Sequence, residues 1–237
     1  MKKLLILSVF ALTAFVLNAQ KTVYDANAEA RNVGEFTGIQ LSNAFSVIIT
    51  QGAESGVAVS ATDASEVQNI KTQVENGVLK IWYENGRKWS RNNTKLKAYI
   101  SVKTLESLRA GGACDVKIDG TLNAQSLKIN LSGASDVSGA RNVSGQLQVN
   151  LSGASDLTII GLADNMAIDV NGASEVKAYN FTTSNCSIEA SGASSVQITV
   201  DKELSAKLNG ASSVRYKGTA VIKDIKITGA SSISRKS

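Results

Sequence analysis

In its second half the sequence reads Leu151-Ser152-Gly153-Ala154-Ser155-Asp156-Leu157, and the core of this stretch, Gly-Ala-Ser-acid-aliphatic, recurs along the chain. Seven copies begin at glycines that are 18 to 21 residues apart: Gly112, Gly133, Gly153, Gly172, Gly192, Gly210 and Gly229. A period near twenty residues that tolerates small insertions is typical of a solenoid in which each repeat forms one coil.

Alignment of the repeats on their glycine reveals columns of like residues. The position four before the glycine is apolar: Leu108, Ile129, Val149, Ile168, Ile188, Ala206 and Ile225. The position two before it is also apolar: Ala110, Leu131, Leu151, Val170, Ala190, Leu208 and Ile227. The position between them is polar: Arg109, Asn130, Asn150, Asp169, Glu189, Lys207 and Lys226. Such alternation indicates a strand with one buried face.

A second strand follows each glycine, because the fourth residue after it is again aliphatic: Val116, Val137, Leu157, Val176, Val196, Val214 and Ile233. The pattern predicts an all-β fold, a single-stranded parallel β-helix (β-solenoid) with coils of about twenty residues. We expect right-handed winding, the usual hand of parallel crossovers. Gly-Ala-Ser is the expected corner, since glycine lets the backbone bend sharply. The main corner positions are Gly133, Ser135, Gly153, Ser155, Gly172, Ser174, Gly192, Ser194, Gly210 and Ser212.

The part of the chain before the repeats is β-rich but less regular. We expect one continuous domain with an irregular N-terminal part, residues 36–108, and a repeat part, residues 109–237. The polar residues 20–35 are expected to form a leader, a linker or a first edge strand. Asn76-Gly77 predicts a hairpin turn. Asp63, with an acid three residues later, predicts the N-cap of a short helix that ends near Lys71.

Residues 1–19 have the order of a secretory signal peptide: two lysines, an apolar run and the small residue Ala19 before a polar one. The apolar run of about fourteen residues is too short to span a membrane, which takes about twenty. Position 20 is Gln, so nothing indicates a lipid anchor there. We therefore expect an exported protein, periplasmic, cell-surface or secreted, that does not span the membrane after cleavage.

The composition excludes several kinds of chemistry. The chain contains no histidine, which rules out Ser-His-Asp and Cys-His catalysis and histidine zinc sites. The formal net charge is +5, of which Lys2 and Lys3 leave with the signal peptide. That charge is too small to indicate nucleic-acid binding without a concentrated basic patch. We expect no cofactor.

The repeated serines are open to two interpretations. They could form a row of nucleophiles, or they could be small buried residues whose hydroxyls bond to the backbone at the corner. The missing histidine base favours the second interpretation. Cys114, which takes the serine position one coil earlier, favours it too, because cysteine keeps the size and tolerates burial. We therefore expect no catalytic residue.

The acidic residues of the repeats form a second column: Asp115, Asp136, Asp156 and Glu175. This column can be a solvated stripe, a calcium site or an acid pair for glycoside cleavage. Calcium takes about six to eight oxygen ligands, which a single column does not readily supply. We expect no metal site and retain the four acids as a possible partner surface.

The two cysteines, Cys114 and Cys186, lie more than three coils apart in the predicted solenoid. At about 4.8 Å per coil their separation is roughly 14–17 Å. A disulfide requires Cα atoms within about 7 Å. The sequence therefore predicts two unpaired, buried cysteines.

One polar and basic segment interrupts the β pattern. It contains Arg87, Lys88, Trp89 and Arg91. A tryptophan among cations can stack on a sugar ring or bind an anionic partner. The same composition is also ordinary for an exposed hairpin tip. We retain these four residues as a possible ligand or partner surface.

Several motifs together resemble a known family. Phe36-Thr37-Gly38-Ile39, the segment 47–52 (Val-Ile-Ile-Thr-Gln-Gly), the segment 77–81 (Gly-Val-Leu-Lys-Ile) and the repeated Ser-Gly-Ala-Ser-Asp-Val are similar to the head GIN domain of putative auto-transporter adhesins. The resemblance spans about residues 36–233. It implies a β-helical fold and an adhesive role, and it supplies no catalytic residues.

The expected function is that of an exported, non-catalytic cell-envelope protein, an adhesin-like module that presents a rigid β-helical surface to a glycan or to an envelope or host protein. An alternative is a polysaccharide lyase or hydrolase, since β-helices also carry such enzymes and fold alone does not decide. A third is a purely structural periplasmic module.

Overall fold

The structure, a computed structural model, describes residues 25–84 and 94–236. Within them the chain forms sixteen strands and a short 3-10 helix, Ala64–Asn69. The first eight strands are β1 (Glu29–Arg31), β2 (Gly38–Leu41), β3 (Phe45–Gln51), β4 (Gly56–Ala61), β5 (Ile70–Glu75), β6 (Val78–Tyr83), β7 (Leu96–Val102) and β8 (Ser107–Ala110). The remaining eight are β9 (Asp115–Leu131), β10 (Asp136–Leu151), β11 (Asp156–Val170), β12 (Glu175–Ala190), β13 (Ser195–Leu208), β14 (Ser213–Lys217), β15 (Val221–Ile227) and β16 (Ser232–Arg235).

The repeat part is a parallel β-solenoid, as the sequence predicts. Strands β9 to β13 each span most of one coil, and each pairs in parallel with the next. The register joins equivalent positions of successive repeats, for example Leu131 with Leu151 and Leu151 with Val170. The predicted coils of about twenty residues are therefore confirmed. The hand of the solenoid stays a prediction.

The glycines of the repeated motif lie at a tight corner between coils. Gly153 has a φ of +80°, a left-handed conformation that side chains disfavour. A Cβ there would lie 2.4 Å from the carbonyl oxygen of Gly133 on the preceding coil. The same carbonyl accepts a hydrogen bond from the amide of Ala154 at 2.8 Å. Only glycine allows this approach, and the contact repeats at Gly133, Gly172, Gly192, Gly210 and Gly229.

The three aliphatic columns that the sequence reveals form a large part of the core. From the coil of Leu108 to that of Val214 their members are buried. In the last coil of the described residues the same columns are uncovered, because no described coil packs on its outer side: Ile227 is 42% exposed. The columns therefore predict burial correctly wherever a coil has neighbours on both sides.

The N-terminal part joins the same sheet and closes it with antiparallel strands. β3 pairs in parallel with β9, and β2 pairs in parallel with β8. β1 pairs antiparallel with β4 at the edge, so residues 29–31 form an edge strand. The assignment of residues 20–35 as a leader or linker stays a prediction. Of the predicted features, the hairpin turn is confirmed, with positive φ at Asn76 and Gly77. The division at residue 108 stays a prediction.

The predicted short helix is present, but it is a 3-10 helix. Its N-cap is Asp63, whose side chain accepts a hydrogen bond from the amide of Ser65 at 3.0 Å. It buries Val67 alone, so little packing favours a longer α-helical segment. No helix among residues 25–84 and 94–236 has the length and apolar character needed to cross a membrane. The predicted signal peptide, residues 1–19, lies outside the described residues.

Candidate functional site

The four acids predicted as a partner surface form a continuous outer ladder. Parallel pairing places Asp115 beside Asp136, Asp136 beside Asp156, and Asp156 beside Glu175. Ser195, Ser213 and Ser232 extend the column to the last coil. The structure therefore brings the four carboxylates together at the spacing of paired strands, about 4.8 Å.

The ladder is electrostatically divided. Lys177 bridges the last two acids of the ladder, with Nζ 3.1 Å from the carboxylate of Glu175 and 3.2 Å from that of Asp156. Hydrogen bonds to Glu175 and then to Asp156 raise the pKa of Lys177. Asp115 and Asp136 are exposed and form no ion pair with any described residue. Asp115 and Asp136 are therefore the two carboxylates of the ladder whose negative charge is free for a partner.

The ladder does not have the geometry of a metal site. Among the described residues, no three Asp, Glu or Cys side chains converge closely enough to hold a metal ion. One side chain per coil, spaced at the strand separation, instead suits contacts with separate cationic groups of a partner.

The corner serines are buried within the backbone of the coils. Ser135 and Ser155 are fully buried, and each hydroxyl donates to the carbonyl three residues earlier, at 3.1 and 3.0 Å. Each hydroxyl also accepts from the amide at the same position one coil earlier, so Ser155 Oγ receives the Ser135 N–H at 3.5 Å. Ser174, Ser194 and Ser212 are buried as well. A substrate has no access to hydroxyls in this position.

The cysteines are buried free thiols. Cys114 continues the serine column, and its backbone amide donates to Ser135 Oγ at 3.3 Å. Burial raises the pKa of the Cys114 thiol and raises that of Cys186 to about 12. Neither thiol is a nucleophile at neutral pH, because the reactive species is the thiolate.

The basic segment with Arg87, Lys88, Trp89 and Arg91 lies outside the described residues. The strand before it, β6, ends at Tyr83, which is buried and donates to Glu66 at 2.5 Å. Burial, and then the hydrogen bond to Glu66, raise the pKa of Tyr83 to about 12. The chain that leads into the segment is therefore firmly held.

The structure also reveals a groove that the sequence did not identify as a site. It has a volume of about 500 Å³ and runs across the coils on the face that precedes the corners. Its floor is one polar column in continuous register: Gln40, Arg109, Asn130, Asn150 and Asp169. Asn150 Nδ2 donates to Asn130 Oδ1 at 2.8 Å, so the amides form a ladder of their own. Ser132, Ser152 and Asn171 line one side.

The polarity of this column was evident from the sequence, but its concave shape was not. Alternation places Asn130 and Asn150 on the outer face, as any solvated position would be. Whether that face is convex or concave depends on how the adjoining corner bends. In the sequence, the indication of this groove was the run of amide and hydroxyl residues at neighbouring positions.

Comparison with known proteins identifies related folds. The family model described as "Putative auto-transporter adhesin, head GIN domain" matches residues 35–220, which confirms the resemblance seen in the motifs. No protein of curated function matches the chain. A crystal structure of a putative adhesin from Bacteroides fragilis superposes with a TM-score of 0.80 at 22% identity, covering 88% of this chain and 96% of that one.

Two structures from Parabacteroides are also similar. A putative lipid binding protein from Parabacteroides distasonis has a TM-score of 0.69 at 20% identity, covering 90% of this chain and 98% of that one. A putative adhesin from Parabacteroides merdae has a TM-score of 0.64 at 16% identity, covering 89% and 95%. At these identities the likeness shows a shared fold alone.

Proposed function

This chain belongs to the family of the putative auto-transporter adhesin, head GIN domain, and from that membership and the geometry of its surface we propose that it is an exported, non-catalytic, adhesin-like binding module of the cell envelope. The name of the family, and that of the Bacteroides fragilis structure, support an adhesive role. The predicted signal peptide, residues 1–19, supports export to the periplasm, the cell surface or the medium.

The observation that carries the proposal is the polar groove. Its amide, hydroxyl and charged groups are mounted on paired strands, so their positions are fixed before a ligand arrives. Sugars present several hydroxyls and need both donors and acceptors, which asparagine provides. Arg109 and Asp169 lie three coil steps apart, roughly 14 Å, about the length of a short oligosaccharide. A glycan is therefore the ligand class proposed for the groove.

The test is a binding screen of the mature chain, residues 20–237, against arrays of glycans and matrix proteins. The double variant Arg109→Ala/Asp169→Ala removes both charged ends of the groove, and we expect it to lose at least about tenfold in affinity for any glycan that binds the wild type. Lys226→Ala is the matched control, because Lys226 lies in the same column but outside the groove.

Equal binding by the double variant and the wild type would remove the groove from the proposal. Failure of every ligand, together with polysaccharide cleavage that is abolished by substitution of Asp136 or Asp156, would replace a binding function with an enzymatic one.

A further inference from the structure

A second concave surface lies at the last coils of the solenoid, and its side chains are basic. This C-terminal cleft has a volume of about 640 Å³ and is lined by Lys217, Gly218, Thr219, Arg235 and Lys236. All three charged residues among these are cations. The cleft lies apart from the polar groove, with which it shares no lining residue.

The two lysines of the cleft lack the ion pairs that some lysines of the solenoid form. Three lysines pair with an acid on the adjacent coil: Lys177 with Asp156 at 3.2 Å, Lys207 with Glu189 at 2.8 Å and Lys223 with Glu203 at 3.1 Å. The register partner of Lys217 on the neighbouring coil is Thr199, which carries no charge. Among the described residues neither Lys217 nor Lys236 has a carboxylate partner.

The two lysines converge on one aromatic ring. Lys217 Nζ and Lys236 Nζ each lie 5.0 Å from the centroid of the Tyr179 ring, so the two ammonium groups lie within twice that distance of each other. The ring attracts both cations, and the two ammonium groups repel each other across this distance. An anion between them would relieve that repulsion.

Arg235 is positioned beside these lysines by the backbone. Its Nη2 donates to the carbonyl oxygen of Gly218 at 2.5 Å, which leaves other guanidinium N–H groups for a ligand. Gly218 has a φ of +95°, and a Cβ there would lie 2.2 Å from the carbonyl oxygen of Val200 and 2.9 Å from Asp201 Oδ1. One carboxylate, that of Asp201, therefore adjoins the cleft, against three cations.

We propose that the C-terminal cleft binds a phosphate group, held between Lys217 and Lys236 and hydrogen-bonded by the guanidinium of Arg235. Phosphate combines charge with several acceptor oxygens, and so it can be shared among one guanidinium and two ammonium groups. The Thr219 hydroxyl donates to the Asp201 carbonyl oxygen at 2.8 Å and helps to hold the rim of the cleft in place. This site does not depend on the function proposed for the groove.

The direct test is isothermal titration calorimetry of the mature chain with inorganic phosphate, against chloride at matched ionic strength. Lys217→Ala/Lys236→Ala is expected to bind phosphate at least about tenfold more weakly than the wild type. The control Lys202→Ala/Lys226→Ala removes the same charge from exposed lysines outside the cleft and is expected to keep wild-type affinity. Asp201→Asn is expected to tighten binding about two- to threefold, because it removes the adjacent negative charge.

Further variants distinguish loss of the phosphate site from loss of folding and from an effect of the groove. Lys236→Glu, at an exposed position, should abolish phosphate binding and leave the melting temperature unchanged. Arg109→Ala/Asp169→Ala, which alters the groove alone, should bind phosphate as the wild type does. Absence of phosphate binding beyond the chloride background, or equal affinity in the wild type and in Lys217→Ala/Lys236→Ala, would overturn the proposal.

The source of the phosphate is distinguished by cosedimentation with vesicles. Binding to phosphatidylglycerol vesicles but not to phosphatidylcholine vesicles, competed by inorganic phosphate, would assign the cleft to anionic lipid headgroups. Phosphate binding in calorimetry without vesicle binding would assign it to soluble or polymer-linked phosphate. Either result supports the phosphate site.

Discussion

Arg141 places a charged group inside the solenoid. Its side chain is fully buried, and in register it lies between Leu122 of β9 and Gly161 of β11. Its Nε, Nη1 and Nη2 have no hydrogen-bond acceptor among the described residues. Burial lowers the pKa of the guanidinium to about 9, so it is still charged at neutral pH. An unpaired buried charge of this kind lowers the free energy of unfolding.

Replacing Arg141 with methionine should therefore stabilise the protein. Methionine fills much of the same volume without charge, and we expect Arg141→Met to raise the free energy of unfolding by about 1–3 kcal/mol in urea denaturation. Arg215→Met, at an exposed arginine, is the control and should change little.

The pH dependence gives this prediction a second readout. The pKa of Arg141 is lower in the folded state than in the unfolded state, so the folded protein releases this proton first. The destabilisation is complete below about pH 9 and diminishes as the pH rises above that value. The stability difference between Arg141→Met and the wild type should narrow accordingly. A methionine variant that is less stable than the wild type would show that the charge is compensated.

At the scale of the elements, the N-terminal segment is held to the sheet by Asp25. Its carboxylate accepts hydrogen bonds from Lys97 at 3.0 Å, Tyr99 at 2.8 Å and Ser60 at 3.0 Å. These contacts join the segment before β1 to β7 and β4, the strands that close this end of the solenoid. The hydrogen bonds from Lys97 and then Tyr99 hold the pKa of Asp25 well below its usual range.

Asp25→Asn should loosen this end of the molecule and remove part of its acid sensitivity. A carboxylate with a lowered pKa stabilises the folded state above its ordinary pKa of about 4, and that contribution is lost as the pH falls further. We expect the variant to lose about 1–3 kcal/mol at pH 7 and to lie closer to the wild type near pH 2. Thermal denaturation between pH 2 and 7 measures both effects.

A control and a spectroscopic signal accompany this prediction. Asp115→Asn, at an exposed and unpaired carboxylate, should leave the melting temperature unchanged. Burial, and then the hydrogen bond to Asp25, raise the pKa of Tyr99 to about 12, so Asp25→Asn should lower it in an alkaline ultraviolet titration. Parallel stability curves for Asp25→Asn and the wild type across the pH range would contradict the assignment.

At the scale of the whole molecule, the solenoid is closed at one end and uncovered at the other. Antiparallel strands β1, β4 and β5 lie at the N-terminal end. At the C-terminal end β15 pairs with β13, and β16 pairs with β14, so the outer edges of β15 and β16 have no partner among the described strands. Val221 is 64% exposed there and Ile222 43%. Each coil relies on the next for its burial, and no coil follows the last one among the described residues.

This asymmetry predicts different costs for one substitution at two places in the same column. Leu208 and Ile227 are register partners, but Leu208 is buried and Ile227 is 42% exposed. Leu208→Lys should lower the free energy of unfolding by at least about 3 kcal/mol, because it buries an unpaired charge. Ile227→Lys should change it by no more than about 0.5 kcal/mol. Urea denaturation of both variants measures the difference, and similar losses would show that the last coil is covered in solution.

The coil length, the buried columns, the Asn76-Gly77 turn and the corner glycines were predictable from single residues and their spacing. Each depends on a local requirement, namely alternate burial along a strand or a left-handed φ. The alignment of Asp115, Asp136, Asp156 and Glu175 followed from the period as well. The polar groove, the C-terminal cleft and the burial of Arg141 depended instead on tertiary structure. Arg141 stands between Ala140 and Asn142 within β10, and only the stacking of coils turns its side chain inward. The curvature of a face and the convergence of Lys217 and Lys236 on Tyr179 likewise arise from coils that meet in space, at separations that a linear period does not encode.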